Sequence, residues 1–174
     1  MNFLQMQSKK LKIALDLDST IVDFETAFNN YFNCDINTMK SADITILVEQ
    51  LRLNRSFWSN LELLERPNFE ACIYATKRIN PKSYTRSNLE KLGLPIKPIY
   101  QIYTQEDNKA RIIKGRCDVL IDDSWFNVKQ CLNAGLPALL ITRPSNKKIR
   151  TKYRINHLNY NEIEQKYNEL FRQM

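Results

Sequence analysis

Glycine is scarce in this chain. Its 174 residues include only Gly93, Gly115 and Gly135. That excludes a glycine-rich phosphate cradle, a Walker loop and a dinucleotide fingerprint, all of which need several glycines at fixed spacing. Histidine occurs once, as His157 in a polar tail to which no role is assigned. Cys34, Cys72, Cys117 and Cys131 are scattered without a CxxC pair, which argues against a zinc site and for reduced thiols in the cytoplasm. No apolar run approaches the ~18–20 residues needed to cross a membrane. The opening "MNFLQMQSKK" lacks the order of a signal peptide.

What is present suits one domain with a sizeable core, since 43% of residues are hydrophobic. The net charge of +7 is uneven. Residues 1–70 carry 7 basic and 10 acidic side chains, and residues 71–174 carry 19 basic and 9 acidic. The densest basic stretch is "RPSNKKIRTKYR", 143–154. It suits either an anionic partner such as nucleic acid or a solvated surface.

Five apolar runs read as strands: 11–17, 70–76, 97–104, 117–122 and 137–142. Most are continuous rather than alternating, as strands covered on both faces are. Helical patterns at 83–93, 106–115 and 123–135 separate them, each closed by a glycine, and another lies within 160–172. Strands alternating with helices predict an α/β fold with a parallel sheet of five strands. Residues 24–66 break the alternation. Helical patterns there predict a small helical cap inserted after the first strand, leaving 1–23 and 67–174 as the core domain.

Ligands of parallel α/β sheets bind beyond the carboxyl ends of the strands, so the residues closing each strand matter most. The first strand, within "LKIALDLDSTIVDF", ends in Asp16 and Asp18. A buried carboxylate is costly unless it is paired or holds a metal. The second strand ends in Thr76, followed by Lys77 and Arg78. The fourth ends in Asp122 and Asp123, and Lys109 opens the helix before it. Four acids, a hydroxyl and several cations thus converge on one edge. Oxygen-only donors without His or Cys favour Mg²⁺.

"DLDSTIVDF" resembles the DxDxT/V signature of the haloacid dehalogenase (HAD) superfamily. "IYAT", a lysine upstream of the fourth strand and "VLIDDS" follow in the superfamily's order. Within it, "FWSNLELLERPN" and "VLIDDSWFNVKQCLNAGLPALLITRP" are most similar to the small capped phosphatases of the 5'(3')-deoxyribonucleotidase group. The resemblance implies a HAD-like Rossmannoid three-layer fold and a Mg²⁺-dependent phosphatase acting through an aspartyl-phosphate. It implies Asp16 as nucleophile and Asp18 as general acid/base. It implies Asp16, Asp122, Asp123 and the Asp18 carbonyl as metal contacts, and Thr76 as a phosphate-binding hydroxyl. Lys109 is the better match to the superfamily's lysine, with Lys114 the alternative. The expected substrate is a nucleoside monophosphate. A polynucleotide end, steered by 143–154, and a catalytically weak binding protein are the alternatives. Intact Asp16 and Asp18 argue against the last.

The flanking residues carry two readings each. Lys77 and Arg78 either contact substrate phosphate or begin a solvated loop. Phe57 and Trp58 either contact substrate from the cap or pack in the core. Asp23 reads as a helix cap.

Overall fold

The computed structural model describes residues 10–102 and 108–172. Parts of the expected runs 97–104 and 106–115, and most of "MNFLQMQSKK", lie outside the described residues. The elements run β1 (Ile13–Leu15), α1 (Phe24–Phe32), α2 (Ser41–Gln50), α3 (Arg55–Ser59), β2 (Ile73–Thr76) and α4 (Lys82–Lys91). They continue β3 (Ile99–Gln101), α5 (Lys109–Ile113), β4 (Val119–Asp122), α6 (Trp125–Asn133), β5 (Ala138–Ile141), β6 (Arg154–Ile155) and α7 (Tyr160–Phe171). The strands form one parallel sheet in the order β3-β2-β1-β4-β5-β6.

Among the described residues the sheet has six strands, not the five expected. The extra one, β6, is two residues long and lies at the edge. It exists because Leu140 N–H donates to Tyr153 C=O at 2.8 Å and Thr142 N–H to Ile155 C=O at 2.9 Å. "YRI" has no apolar periodicity of its own, so the pairing is made by β5 and not by local sequence.

Side chains alternate across the sheet and sort into two cores. Ile13, Leu15, Tyr74, Val119, Ile121, Leu139 and Ile141 face one side, with Leu89 of α4 and Ile163 of α7. Ala14, Ile73, Ala75, Leu120, Ala138 and Leu140 face the other, beneath Ala110 and Ile113 of α5 and Val128 and Cys131 of α6. Three layers result, and burial on both faces explains why the strands read as unbroken apolar runs. Gly135 closes α6 at φ 72°, where any other residue would be strained.

After β1 the chain turns tightly. The N–H groups of Ile21 and Val22 both donate to Leu17 C=O, at 2.8 and 3.0 Å, and Ser19 sits at φ 57°. Val22 then bridges antiparallel to Leu63, and Asp23 N–H donates to Glu62 C=O at 2.9 Å. The helical insertion therefore leaves and returns through one narrow neck. Asp23 caps α1, accepting from Thr26 N–H at 3.1 Å, as its position suggested.

The insertion shares the first core. Phe28, Leu51, Phe57 and Trp58 are buried in the same cluster as β1 and β4. The Trp58 ring stacks on Phe24 with centroids 5.8 Å apart, and its Nε1–H donates to Leu51 C=O at 2.7 Å. Because this core is continuous, Phe28→Ala is expected to cost about 3–5 kcal/mol in global stability. Urea denaturation should show one cooperative transition for the variant. A separate early transition for the insertion would contradict the shared core.

Candidate active site

The carboxyl ends of β1, β2 and β4 meet where the sheet order places them side by side. Asp16 follows β1 and is held at its backbone by Asp16 N–H donating to Ile121 C=O at 3.0 Å. Asp122 closes β4 and Asp123 follows it. Asp16, Asp122 and Asp123 each offer a carboxylate oxygen, all within 4.8 Å of one another.

Lys109 is the cation of this cluster. It is the first residue of α5, whose start is fixed by the Asn108 side chain accepting from Arg111 N–H at 2.8 Å. Its buried Nζ donates to Asp122 Oδ2 at 2.6 Å and to Asp16 Oδ1. Lys114 points elsewhere, donating to Ala134 C=O at 2.6 Å at the end of α6. The two candidate lysines are thereby separated: Lys109 is in the site and Lys114 caps a helix.

Asp122 is fully buried. Asn127 Nδ2 donates to its oxygens at 3.1 and 3.2 Å, and Ser124 N–H donates to Oδ1 at 2.8 Å. With Lys109, these donors satisfy a charge that burial alone would forbid. Thr20 Oγ1 lies 3.4 Å from Asp16 Oδ2 and 3.3 Å from Asp123 Oδ1, linking the first signature to the acidic pair.

Asp18 stands beside this cluster with a partner of its own. Arg78 Nε donates to both Asp18 oxygens at 3.0 Å, and Nη2 donates to Oδ1 at 2.8 Å. Thr76 Oγ1 reaches Asp18 Oδ2 at 3.3 Å. Arg78 is 2% exposed, so it does not begin a solvated loop. Lys77 does lie at the surface, its Nζ 5.4 Å from the centre of the Phe126 ring. Partial desolvation, with Lys109 nearby, lowers its pKa below the ordinary lysine value.

Phe57 and Trp58 are both buried in the aromatic packing of the insertion. Neither presents a face to solvent. Trp58 reaches the site indirectly, its ring 5.3 Å beneath the Arg78 guanidinium. Phe126, on α6 just past the acidic pair, is the exposed aromatic at the rim, at 58% exposure. The basic stretch divides in two. Arg143 is buried, donating from Nε to Ser19 C=O at 3.1 Å and from Nη2 to Thr20 C=O at 2.6 Å, and pairing with Glu65 at 2.8 Å. Arg154 donates to Asn146 C=O and Ile149 C=O at 2.9 and 2.5 Å. Lys147, Lys148, Arg150 and Lys152 stay exposed.

Sequence reasoning did not single out Thr20 or Asn127, read Arg143 only as part of the basic stretch, and left Arg78 open. Thr20 is the last letter of the DxDxT pattern. Asn127 sits at the spacing that returns a helical side chain to the strand end, five residues after Asp122. Arg78 and Arg143 had no such signal, because their partners lie 60 and 124 residues away in the chain.

The electrostatics are unbalanced without a further cation. Burial pushes Asp16 up from 3.8 to about 7; Lys109 opposes this, while Asp122 and Asp18 add to it. Burial, with Asp122 and Asp16, likewise raises Asp123 well above the ordinary carboxylate range. Burial works against charge on Lys109, but Asp122 and Asp16 outweigh it and hold its pKa above the ordinary value. Lys109, with the more exposed Lys77 acting on Asp16 and Asp122 from the rim, does not neutralise three carboxylates. Clustered hard oxygen donors with that deficit fit a divalent cation, with Asp16, Asp122 and Asp123 to hold it.

No family model matches the chain, and no curated protein does. Among solved structures it is similar to an L-2-haloacid dehalogenase, with TM-score 0.57, 12% identity and coverage of 90% of this chain and 99% of that one. A haloacid dehalogenase-like family hydrolase from Streptococcus pneumoniae aligns at TM-score 0.48 and 16% identity, covering 76% of this chain and 84% of that one. A HAD-superfamily hydrolase from Ehrlichia chaffeensis aligns at TM-score 0.43 and 13% identity, over 93% and 97% of the two chains. At such identities the first likeness speaks for the fold alone: a HAD-like Rossmannoid sheet flanked by helices. Among the described residues no helix is long and apolar enough to cross a membrane.

The raised carboxylates set a pH dependence. Between about pH 4 and about 7 the folded, metal-free protein binds more protons at Asp16 than the unfolded chain does, because its pKa rises from 3.8 to about 7. That contribution to stability is full below the unfolded value and is lost as pH rises through the folded one. A dication must displace those protons, so its stabilisation grows over the same window. The rise in melting temperature caused by Mg²⁺ should be larger at about pH 8 than at about pH 5. Equal increments at both pH values would contradict the carboxylate site.

Proposed function

We propose that the chain is a Mg²⁺-dependent hydrolase of phosphomonoesters, acting on a nucleoside monophosphate through an aspartyl-phosphate. One observation carries this reading: three carboxylates and a buried lysine gather at the ends of β1 and β4, with Asp18 beside them on a cation of its own. Phosphoryl transfer needs positioning and charge neutralisation above all. Mg²⁺ bound at Asp16, Asp122 and Asp123 would screen the phosphate so that an anion can approach it.

The chain's own residues supply the rest. Asp16 attacks phosphorus with a carboxylate oxygen, and the bond from phosphorus to the leaving oxygen breaks. Lys109, already on Asp16, holds the nucleophile and faces the developing charge. Asp18 gives the leaving oxygen its proton and later takes one from the attacking water. Water adds to phosphorus, the bond to Asp16 breaks, and phosphate departs. Thr76, whose hydroxyl donates to Asp18 Oδ2 at 3.3 Å, would turn to the phosphate when it enters, and Lys77 lies at the rim with Phe126.

The helical insertion acts as a cap that sets substrate size. The nucleotidase-like strings around 57–68 and 119–144 support a nucleotide. The dehalogenase likeness raises a second chemistry, displacement of halide from carbon by Asp16. Halide leaves without a proton, so it makes no use of Asp18 as an acid, and the reaction calls for no cation at the acidic pair. The arrangement therefore favours the phosphoester. For a polynucleotide end, only the exposed part of the basic stretch is free to bind phosphates, because Arg143 and Arg154 are engaged within the fold.

A release panel tests the reading: mononucleotides, a sugar phosphate, a phosphorylated oligonucleotide and a 2-haloacid, each with and without Mg²⁺. Phosphate release from a mononucleotide that needs Mg²⁺ is expected; chloride release alone would overturn it. Asp16→Asn should abolish turnover while leaving the melting temperature unchanged or raised, since it removes one of three crowded charges. Near-normal rates in that variant would end the nucleophile assignment. Lys147, Lys148 and Arg150 changed together to Ala should leave mononucleotide turnover within about twofold. A loss confined to oligonucleotide dephosphorylation, with the oligonucleotide the far better wild-type substrate, would favour the polynucleotide reading. Its salt slope should then fall by roughly one per lost phosphate contact.

A further inference from the structure

Arg78 is a buried cation that the chemistry above does not use. Its side chain is fully enclosed, whereas the Asp18 side chain it holds is 23% exposed. Three donated bonds of 2.8 to 3.0 Å make the pair bidentate. Such a fork fixes the plane of a carboxylate as well as its distance, which an ammonium cannot do. Arg78 is itself fixed on two further sides. Its Nη1 donates to Thr85 Oγ1 at 3.3 Å in α4, and its guanidinium lies 5.3 Å from the Trp58 ring in α3. Asn80 Nδ2 also donates to Thr85 Oγ1, at 3.2 Å, and keeps that hydroxyl in place.

We infer that Arg78 is a positioning residue: it aims the Asp18 carboxylate for proton transfer, and Trp58 of the insertion seats Arg78 in turn. This rests on the phosphatase reading and deepens it. A group that moves protons at two successive steps must stay aligned while the leaving group departs and water enters. Asp18 is partly exposed and lies on a tight turn, so nothing in its own strand holds its carboxylate plane. Arg78 supplies that from just beyond the second strand, two residues past Thr76. The insertion thereby acts on the chemistry through Trp58 and Arg78, without an aromatic face on the substrate.

The two proton transfers can be read apart with p-nitrophenyl phosphate. Its leaving group departs as an anion, so attack by Asp16 does not wait for Asp18. Breakdown of the aspartyl-phosphate still needs Asp18 to take a proton from water. Arg78→Gln should therefore retain a burst of about one p-nitrophenolate per enzyme, while steady turnover falls on the order of 10²-fold and KM falls with it, leaving kcat/KM unchanged. On an alkyl phosphate the burst should vanish, since that leaving oxygen needs its proton. Arg78→Lys keeps a buried charge but not the fork, serves as the folded reference, and should show the same pattern. Adding Asp18→Asn to either variant should cost little more, because the two residues act as one unit.

Unchanged turnover in both Arg78 variants would overturn the inference. So would a rise in KM at constant kcat, which marks a substrate contact. So would a burst that falls in step with turnover and folded fraction, which marks a structural pair. Wild-type protein that releases no p-nitrophenolate would overturn the phosphatase reading itself, and this inference with it. Active wild type with unaffected variants would overturn this inference alone.

Discussion

Everything at the carboxyl edge of the sheet depends on how Asp16 and Asp122 share one lysine while Asp123 crowds beside them. Three carboxylates in a buried site repel one another, and Lys109 relieves only part of that. The fold bears this cost at one place and answers it with local donors: Asn127, the Ser124 N–H and the Thr20 hydroxyl. These partners come from the start of α6 and from the turn after β1. Shortening that turn, or shifting α6 by one residue, would take one donor from a buried carboxylate.

The same logic explains why two arginines with long-range partners lie inside the fold. Arg78 holds Asp18, and Arg143 holds the carbonyls of Ser19 and Thr20 just beyond it. The turn between β1 and the insertion is thus fastened from β2 on one side and from the end of β5 on the other. Arg143 also reaches Glu65, where the insertion returns to the core. One short turn carries the second carboxylate, the neck of the insertion and two buried cations. Tight side-chain control there is consistent with proton transfer by Asp18, whose own strand ends before it.

Much of this was legible in the primary structure, and for identifiable reasons. Strands buried on both faces leave long apolar runs, so the positions of β1, β2, β4 and β5 could be read directly. Gly93, Gly115 and Gly135 marked the helix ends because only glycine takes their positive φ without strain. Asp16, Asp18, Thr76, Asp122 and Asp123 were found as strand-closing polar residues, a position that parallel sheets reserve for ligands. The edge strand β6 was not legible, because two residues with no pattern become a strand only when β5 pairs with them. The aromatic pair Phe57 and Trp58 showed as a cluster, but not whether it faced a ligand or the core.

The sequence by itself determined the alternation of the main strands and helices, the acids that close them and the scarcity of glycine that rules out glycine-rich phosphate cradles. Those features are local, since each depends on residue type, spacing and backbone preference within a few positions. Tertiary structure alone decided which cation meets which acid: Lys109 rather than Lys114 on Asp16, Arg78 on Asp18, Arg143 on the turn. It also drew Arg143 and Arg154 of the basic stretch into the fold and turned Trp58 inward beneath Arg78. Charge pairing is set by distance in space, and residues 60 or 124 positions apart meet only after the sheet has brought their strands together.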